Sequence, residues 1–178
     1  MLRIGLAGIG FMGWIHYLAY QKTQGIRLAA FCSRDPQKRG GDWRGIQGNF
    51  GPPGEQVDLT DVKQYETLEE MLADPQIDVV DLCLPPHLHR DTTLAALQAG
   101  KHVFVEKPMA LTADDCVTMV AAARQADRQV LVGQVLPFLP EYAYARQLIE
   151  SGKYGKAIGG SFKRVISDPT WLKDFFNA

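Results

Sequence analysis

Short apolar runs alternate with segments of helical spacing along most of the chain. Apolar runs predict strands over residues 2–7, 26–32, 77–84, 102–105 and 130–133. Helical spacing or capping residues predict helices over residues 11–21, 67–72, 88–98 and 112–125. The runs are continuously apolar, which is typical of parallel strands covered on both faces. The predicted fold class is therefore α/β, with a doubly wound parallel sheet.

Two segments depart from this alternation. Residues 40–54 are dense in glycine and proline and predict a long irregular surface loop. After Gly133, Pro137 and Pro140 precede a predicted helix over 141–150 and a strand over 158–166 with Lys163 and Arg164 in its middle. We therefore predict one domain over 1–136 and the beginning of a second, incomplete domain over 137–178, too short for a core of its own.

Charge and composition restrict the partners. Lys and Arg number 19 and Asp and Glu number 20, giving a net charge of -1, so no basic surface for nucleic acid is expected. No apolar run approaches the length of a membrane span. The three cysteines, Cys32, Cys83 and Cys116, are widely spaced. They predict reduced core thiols in a cytoplasmic protein, a catalytic thiol being the alternative.

The first predicted strand runs directly into a glycine motif that opens the first helix. The motif consists of Gly8, Gly10 and Gly13 with Phe11 and Met12 between the last two. In this context the glycines permit a tight turn, a close approach of backbone to a pyrophosphate, and packing of helix on strand. We predict that these five residues bind a dinucleotide; a glycine-rich turn without a ligand is the alternative.

The end of the second predicted strand bears on the choice of cofactor. An acidic side chain about 20 residues past the motif would hold the ribose hydroxyl of NAD. This chain has Ser33 and Arg34 there, and a guanidinium suits a 2′-phosphate. We predict NADP more than NAD, although Asp35 argues against it and a surface arginine in a turn is the alternative.

A third motif follows the fourth predicted strand, where Glu106, Lys107 and Pro108 stand at the carboxyl edge of the sheet. With the glycine motif and the segment Pro85-Pro86-His87-Leu88-His89, in this order and spacing, it resembles the Gfo/Idh/MocA family of NAD(P)-dependent oxidoreductases. The resemblance covers essentially the whole chain. It implies a Rossmann-like sheet followed by the first helix and strand of an α+β substrate domain.

The resemblance also implies roles for individual residues. Lys107 is the candidate catalytic residue, placed between nicotinamide and substrate; buried beside a cationic nicotinamide, it would have a lowered pKa and could assist removal of the hydroxyl proton. Glu106 contacts the cofactor side of the pocket, and Pro108 follows a cis peptide bond. The alternative for Lys107 is a surface salt bridge with Glu106. The remaining candidate cofactor contacts are Leu84, Pro85, His89 and Gln134. His89 is expected to orient its loop rather than transfer protons, and His16 and His102 to be structural.

The resemblance implies a small-molecule sugar, cyclitol or polyol as substrate, oxidised at a hydroxyl or reduced at a ketone, and a homo-oligomer in the complete protein. The family's catalytic Asp-x-x-x-His motif is not present, because all 4 histidines precede residue 103. Either the chain is part of a longer enzyme or it is a short, non-catalytic dinucleotide-binding or redox-sensing form. The aromatic cluster between Trp171 and Phe176 favours the former. A glycoside-cleaving member that retains its NAD is a further alternative.

Overall fold

The computed structural model describes residues 1–163 and 165. Its centre is a six-stranded sheet in which all neighbouring strands are parallel, in the order β3-β2-β1-β4-β5-β6. The strands are β1 (Leu2–Ala7), β2 (Ile26–Cys32), β3 (Lys63–Tyr65), β4 (Val79–Leu82), β5 (His102–Val105) and β6 (Val130–Val132). This order is that of the Rossmann fold, and the direction of winding reverses between β1 and β4. The predicted fold class is confirmed.

Helices connect the strands at or close to the predicted positions. They are α1 (Phe11–Tyr20), α2 (Pro36–Arg39), α3 (Leu68–Leu72), α4 (His89–Gln98), α5 (Ala113–Ala126) and α6 (Pro140–Glu150). Thr67 and Glu70 form the predicted capping box of α3, and Thr112 Oγ1 accepts the backbone N–H of Asp115 at the start of α5. Short 3₁₀ turns precede α4 and α6 at Pro86–Leu88 and Leu136–Phe138.

The sheet is covered on both faces, and this follows from the alternation of side chains along each strand. In β1, Leu6 belongs to one buried cluster and Ala7 to the other. The Ala7 cluster includes residues of α3, α4 and α5, such as Met71, Leu97 and Met119. The Leu6 cluster is built with α1 and contains Trp14. The α1 face therefore has a separate core from the face covered by the other helices.

Residues 40–54 are irregular as predicted, and the irregular segment extends to Val57, but the prediction that it is a surface loop is wrong in part. Trp43, Ile46 and Val57 are buried in the α1-face core. The ring centroids of Trp43 and Phe31 are 5.4 Å apart, and the indole N–H of Trp43 donates to the carbonyl oxygen of Lys38 at 2.8 Å. Apolar side chains spaced among glycines thus form part of the core on the α1 face.

Other predictions need correction near the sheet edges and beyond Gly133. The sequence pattern missed α2 and β3, because β3 has the sequence Lys-Gln-Tyr and lacks an apolar run. The predicted strand over 158–166 is not formed by residues 158–163 or 165, which have no regular structure. Arg164 and residues 166–178, including the predicted aromatic cluster, lie outside the described residues. The chain divides into units beginning at Met1 and at Gln134, close to the predicted boundary after residue 136.

No helix within residues 1–163 has the length and apolar character needed to cross a membrane.

Candidate functional site

The candidate site is built on the loops that follow β1, β4 and β5. Backbone hydrogen bonds continue one residue past each strand: Cys83 N–H donates to Ala7 O at 2.8 Å, and Glu106 N–H to Leu82 O at 3.1 Å. Because parallel strands end at the same edge, these bonds align the glycine motif, the Pro85 turn and the Glu106 segment at the point where the winding reverses. Open α/β sheets bind their ligands at such a point.

The glycine motif closes tightly on the neighbouring loop. Gly8 has φ +97°, a conformation that disfavours other residues, and a Cβ there would overlap the carbonyl oxygen of Cys83. A Cβ at Gly13 would overlap the carbonyl oxygen of Gly8. Gly10 differs from both, because a Cβ there would meet no heavy atom within 4 Å. Its lack of a side chain is therefore not required by packing within the described residues.

Gly10 is also the N-cap of α1, and no side chain caps the helix there. The first N–H groups of a helix have no partners in the helix itself, and they attract anions together with the helix dipole. The first turn contains Phe11 and Met12, both half-buried, and has no acidic residue that would repel a phosphate. An uncapped helix start facing open space beside Gly10 fits a dinucleotide pyrophosphate.

The loop after β2 contains the residues predicted to select the cofactor. Ser33 is half-buried and Arg34 is exposed. The Asp35 carboxylate caps α2, accepting the backbone N–H of Gln37 at 2.9 Å. Lys38, which sequence reasoning missed, donates from Nζ to Ile9 O at 2.7 Å and so brings an ammonium group to the glycine motif. Lys38 lies five residues after Ser33 on a helix too short to predict, so nothing in the sequence indicates that it reaches the glycine motif.

The turn after β4 is tied to the segment after β5 by one buried histidine. His89 lies within hydrogen-bond distance of Leu84 O, at 2.8 Å from Nε2, and of Pro108 O, at 2.7 Å from Nδ1. The Lys107–Pro108 peptide bond is cis, as expected from the sequence. His89 is fully buried, so it can hold Leu84, Pro85 and Pro108 in register without facing a ligand.

Lys107 is exposed, in contrast to the burial expected from the sequence. Within the described part of the chain its ammonium group forms no ion pair. The alternative of a salt bridge with Glu106 is therefore not seen: the Glu106 carboxylate accepts the backbone N–H of Lys107 at 3.2 Å instead. Lys107 Nζ is available to a ligand at this edge. Gln134, also exposed, begins the second unit of the chain.

A cluster of polar side chains that includes Glu106 lies between α1 and the sheet. His16 Nδ1 is 2.8 Å from Asp81 Oδ2, and His16 Nε2 is 3.1 Å from Glu106 Oε1. Tyr20 donates its hydroxyl to Asp81 at 2.5 Å, and Cys83 Sγ is 3.3 Å from His16 Nδ1. We call these five residues the His16 cluster. The sequence offered one signal for it, the charged Asp81 inside an otherwise apolar strand.

The cluster changes the pKa of its members. Burial alone would lower the pKa of His16, but hydrogen bonds with Asp81, Cys83 and Glu106 outweigh it and raise the pKa to about 12. Burial would raise the pKa of Glu106, but the hydrogen bond and charge of His16 lower it. Burial raises the pKa of Cys83 to about 12, so its thiol is protonated at neutral pH and is a poor nucleophile.

Comparison with known proteins agrees with this geometry. The sequence profile of the Gfo/Idh/MocA family, described as an oxidoreductase family with an NAD-binding Rossmann fold, matches residues 2–134. The chain belongs to the Gfo/Idh/MocA family. The resemblance drawn from the glycine motif, the Pro85 turn and the Glu106 segment is thereby confirmed.

Relatives within the Gfo/Idh/MocA family include dehydrogenases of ring-shaped hydroxylated compounds. The chain is 32% identical over 155 residues to 1-carboxy-3-chloro-3,4-dihydroxycyclohexa-1,5-diene dehydrogenase of Comamonas testosteroni, covering 87% of this chain and 36% of that protein. It is 30% identical over 158 residues to inositol 2-dehydrogenase/D-chiro-inositol 3-dehydrogenase of Lactiplantibacillus plantarum, covering 88% and 42%.

A solved structure of the Gfo/Idh/MocA family has the same architecture. The crystal structure of scyllo-inositol dehydrogenase from Lactobacillus casei, with bound cofactor NAD(H) and scyllo-inositol, superposes with a TM-score of 0.73 at 29% identity. The match covers 87% of this chain and 42% of that one. The chain thus spans about two fifths of the length of the relatives it matches.

Proposed function

We propose that the protein is an NAD(P)-dependent oxidoreductase acting on a CH–OH group. The hydride passes between a nicotinamide cofactor and a hydroxyl or ketone of a sugar, cyclitol or related polyol. The chain described above contributes the cofactor domain. Relatives named as inositol dehydrogenases support the polyol class, although they extend well beyond the part that this chain matches.

The observation that carries the proposal is the uncapped start of α1 beside Gly10. Gly8 and Gly13 are required by packing within the protein, but the space at Gly10 is left open. An unused space next to unpartnered helix N–H groups, at the reversal of the sheet, is what a pyrophosphate would occupy. A glycine-rich turn without a ligand gives no reason for this difference between Gly10 and its neighbours.

The residues at this edge of the sheet would have different roles in the reaction. When bound, the nicotinamide supplies the hydride acceptor or donor. The exposed ammonium of Lys107 would bind the substrate oxygen and stabilise the negative charge that develops on it as the hydroxyl proton passes to water. His89 would keep the Pro85 turn and Pro108 in fixed relation, and Glu106 would face the nicotinamide side of the pocket.

Substitution of Gly10 tests the proposal directly. We expect Gly10→Ala to leave the melting temperature unchanged but to weaken NADPH and NADH binding at least tenfold, because the added methyl would fill the proposed pyrophosphate space. Binding is measured by the fluorescence of the reduced nicotinamide. Gly45→Ala is the matched control, since a Cβ there also meets nothing within 4 Å but lies in the irregular segment. Equal binding by both variants would contradict the proposal.

We further propose that the cofactor is NADP more than NAD. Ser33 and Arg34 stand where a 2′-phosphate would bind, the Asp35 carboxylate is engaged by α2, and Lys38 adds a cation beside Ile9. We expect the double variant Ser33→Asp with Arg34→Ala to reduce the preference for NADPH over NADH by about 10- to 100-fold, the loss of one or two hydrogen bonds to a charged group. Competition titrations measure it. An unchanged ratio, or NADH bound at least as tightly as NADPH by the unsubstituted protein, would contradict the assignment.

Two further parts of the proposal concern the setting of the enzyme. The three cysteines are free thiols, which supports a reducing compartment such as the cytoplasm.

The intact mass of the protein isolated from its native source establishes whether a substrate domain follows. A mass well above 19.8 kDa calls for a polyol screen with both cofactors and for measurement of the expected homo-oligomer. A mass of 19.8 kDa would instead favour a binding or redox-sensing role.

A further inference from the structure

Apart from Glu106, the members of the His16 cluster have no part in the roles assigned above, although the cluster reaches the candidate site. His16 lies on α1, one turn after Gly13 of the glycine motif. It faces Asp81 and Cys83 at the end of β4, and Phe104 and Glu106 at the end of β5. The cluster therefore joins the helix that starts at the cofactor motif to the segment that contains Lys107.

The hydrogen bonds of His16 fit a cationic ring between two ionised carboxylates. Each ring nitrogen faces a carboxylate oxygen, and an ionised carboxylate only accepts, so both nitrogens donate when Asp81 and Glu106 are ionised. The ring is also held in place by Phe104, stacked at 5.2 Å with an interplanar angle of 6°. No rotation of the imidazole would keep both bonds. The geometry thus fixes the orientation of His16 and favours its cationic form.

Glu106 is held on several sides by this arrangement. One carboxylate oxygen accepts from His16 Nε2, and the other accepts the backbone N–H of Lys107. A Cβ at Gly133 would lie 2.9 Å from Glu106 Oε1, so the neighbouring backbone also limits the space. The Glu106 side chain keeps one orientation, and the start of the Lys107 segment is attached to it.

Stability alone is a weak reason for such a cluster. Buried ion pairs contribute little more than well-packed apolar side chains would in their place, because removing charges from water is costly. Elsewhere on its α1 face, the sheet is covered by apolar side chains such as Leu6 and Phe31. On this face, the buried carboxylates Asp81 and Glu106 lie at the end of the sheet where the candidate site lies.

We propose that His16 is a positioning residue, whose cationic ring keeps Glu106 ionised and oriented at the nicotinamide side of the site. The inference rests on the proposed function. An ionised Glu106 attracts the oxidised nicotinamide, which is cationic, more than the reduced one, which is neutral. The His16 cluster thereby sets the relative affinity of the protein for the two oxidation states of its cofactor.

The charge of His16 can be measured without any ligand. The groups that face it are Tyr20 from α1, Asp81 from β4, Cys83 directly after β4, and Glu106 from the segment after β5. The carboxylates outweigh the cost of burial, and we expect the ring-nitrogen chemical shifts in ¹⁵N NMR to be those of an imidazolium at pH 8. A free histidine is neutral at that pH. A neutral ring at pH 8 would overturn the proposal, whatever the behaviour of the variants.

The second measurement is the ratio of the dissociation constants for NADP⁺ and NADPH, determined from pH 5.5 to 8.5 in the protein from its native source and in variants. A variant that loses contacts to the adenine or phosphate groups binds both forms more weakly by the same factor, because these groups are identical in NADP⁺ and NADPH. A merely structural defect would therefore leave the ratio unchanged. We expect a constant ratio in the unsubstituted protein, because Glu106 stays ionised throughout. In His16→Gln, burial raises the pKa of Glu106, and the ratio should change about tenfold at the acid end.

Three further variants complete the test. Glu106→Gln should show the changed ratio at every pH, and His16→Gln combined with Glu106→Gln should behave as Glu106→Gln does. His102→Gln is the control, because His102 is a half-buried histidine of β5 that accepts the backbone N–H of Gln129 and does not contact Glu106. If the ratio in His16→Gln is independent of pH and equal to that of the unsubstituted protein, the inference about His16 is overturned but the proposed function is not. Absence of nicotinamide binding in the unsubstituted protein would overturn the proposed function as well.

Discussion

Replacing Lys107 by methionine is expected to lower kcat/KM for oxidation of a polyol by about 10² to 10⁴, the range found when a group that handles a proton or charge in the transition state is removed. Methionine has a similar length but no charge and no donor. The Lys107 ammonium is exposed and makes no ion pair within residues 1–163 and 165, so its removal leaves no buried partner unsatisfied. The melting temperature should change little.

Steady-state kinetics with the protein isolated from its native source, followed at the absorbance of reduced nicotinamide, measure this effect. Cofactor affinity should change far less than turnover. Lys107→Arg should recover part of the rate, because it restores the charge but not the compact donor geometry. Lys22→Met is the matched control, since Lys22 is an exposed lysine in the turn after α1. If Lys107→Met and Lys22→Met turn over equally fast, Lys107 is not catalytic.

The second large effect is expected at Trp43, where replacement by alanine should lower the free energy of unfolding by about 3–5 kcal/mol. The side chain is fully buried, and its ring contacts Trp14, Tyr17 and Phe31 edge-on, with centroids between 5.1 and 6.2 Å away. The substitution would open a cavity and leave the carbonyl oxygen of Lys38 without its indole donor. Denaturant unfolding followed by circular dichroism measures the change.

Phe50→Ala is the control for Trp43→Ala, because Phe50 belongs to the same irregular segment but has 53% of its surface exposed. It contacts the Phe11 ring edge-on at 4.8 Å, a contact whose loss should cost only about 0.5–1.5 kcal/mol. Similar unfolding energies for the two variants would mean that the segment is not part of the folded core.

The sequence predicts most of the sheet because β1, β2, β4 and β5 are buried on both faces, and burial requires continuous apolar runs. It does not predict β3, whose Lys-Gln-Tyr sequence lies at an edge where only backbone pairing with β2 is required. The irregular segment was predicted from its glycines and prolines, but its buried Trp43 was not, since nothing local indicates which side chain of a loop turns inward.

The candidate site shows the same limit. The glycine motif and the Glu106 segment are contiguous in sequence, and each can be read by itself. The His16 cluster unites residues 65 and 90 positions apart, from His16 to Asp81 and to Glu106. Such a pairing depends on the order of strands in the sheet, which the apolar runs do not give and only the resemblance to a Rossmann-like family implies. From the sequence alone, His16 is therefore indistinguishable from any other residue of its helix.

The two outer strands of the sheet bear on how the protein avoids aggregation through strand addition. β3 and β6 have only three residues each, so each offers few unpaired backbone groups to another chain. β3 also exposes Lys63, and a charged side chain on a short edge discourages the addition of a foreign strand. The apolar strands β1, β2 and β4 lie inside the sheet and are paired on both sides. Aggregation through strand addition would thus require the outer strands to open first.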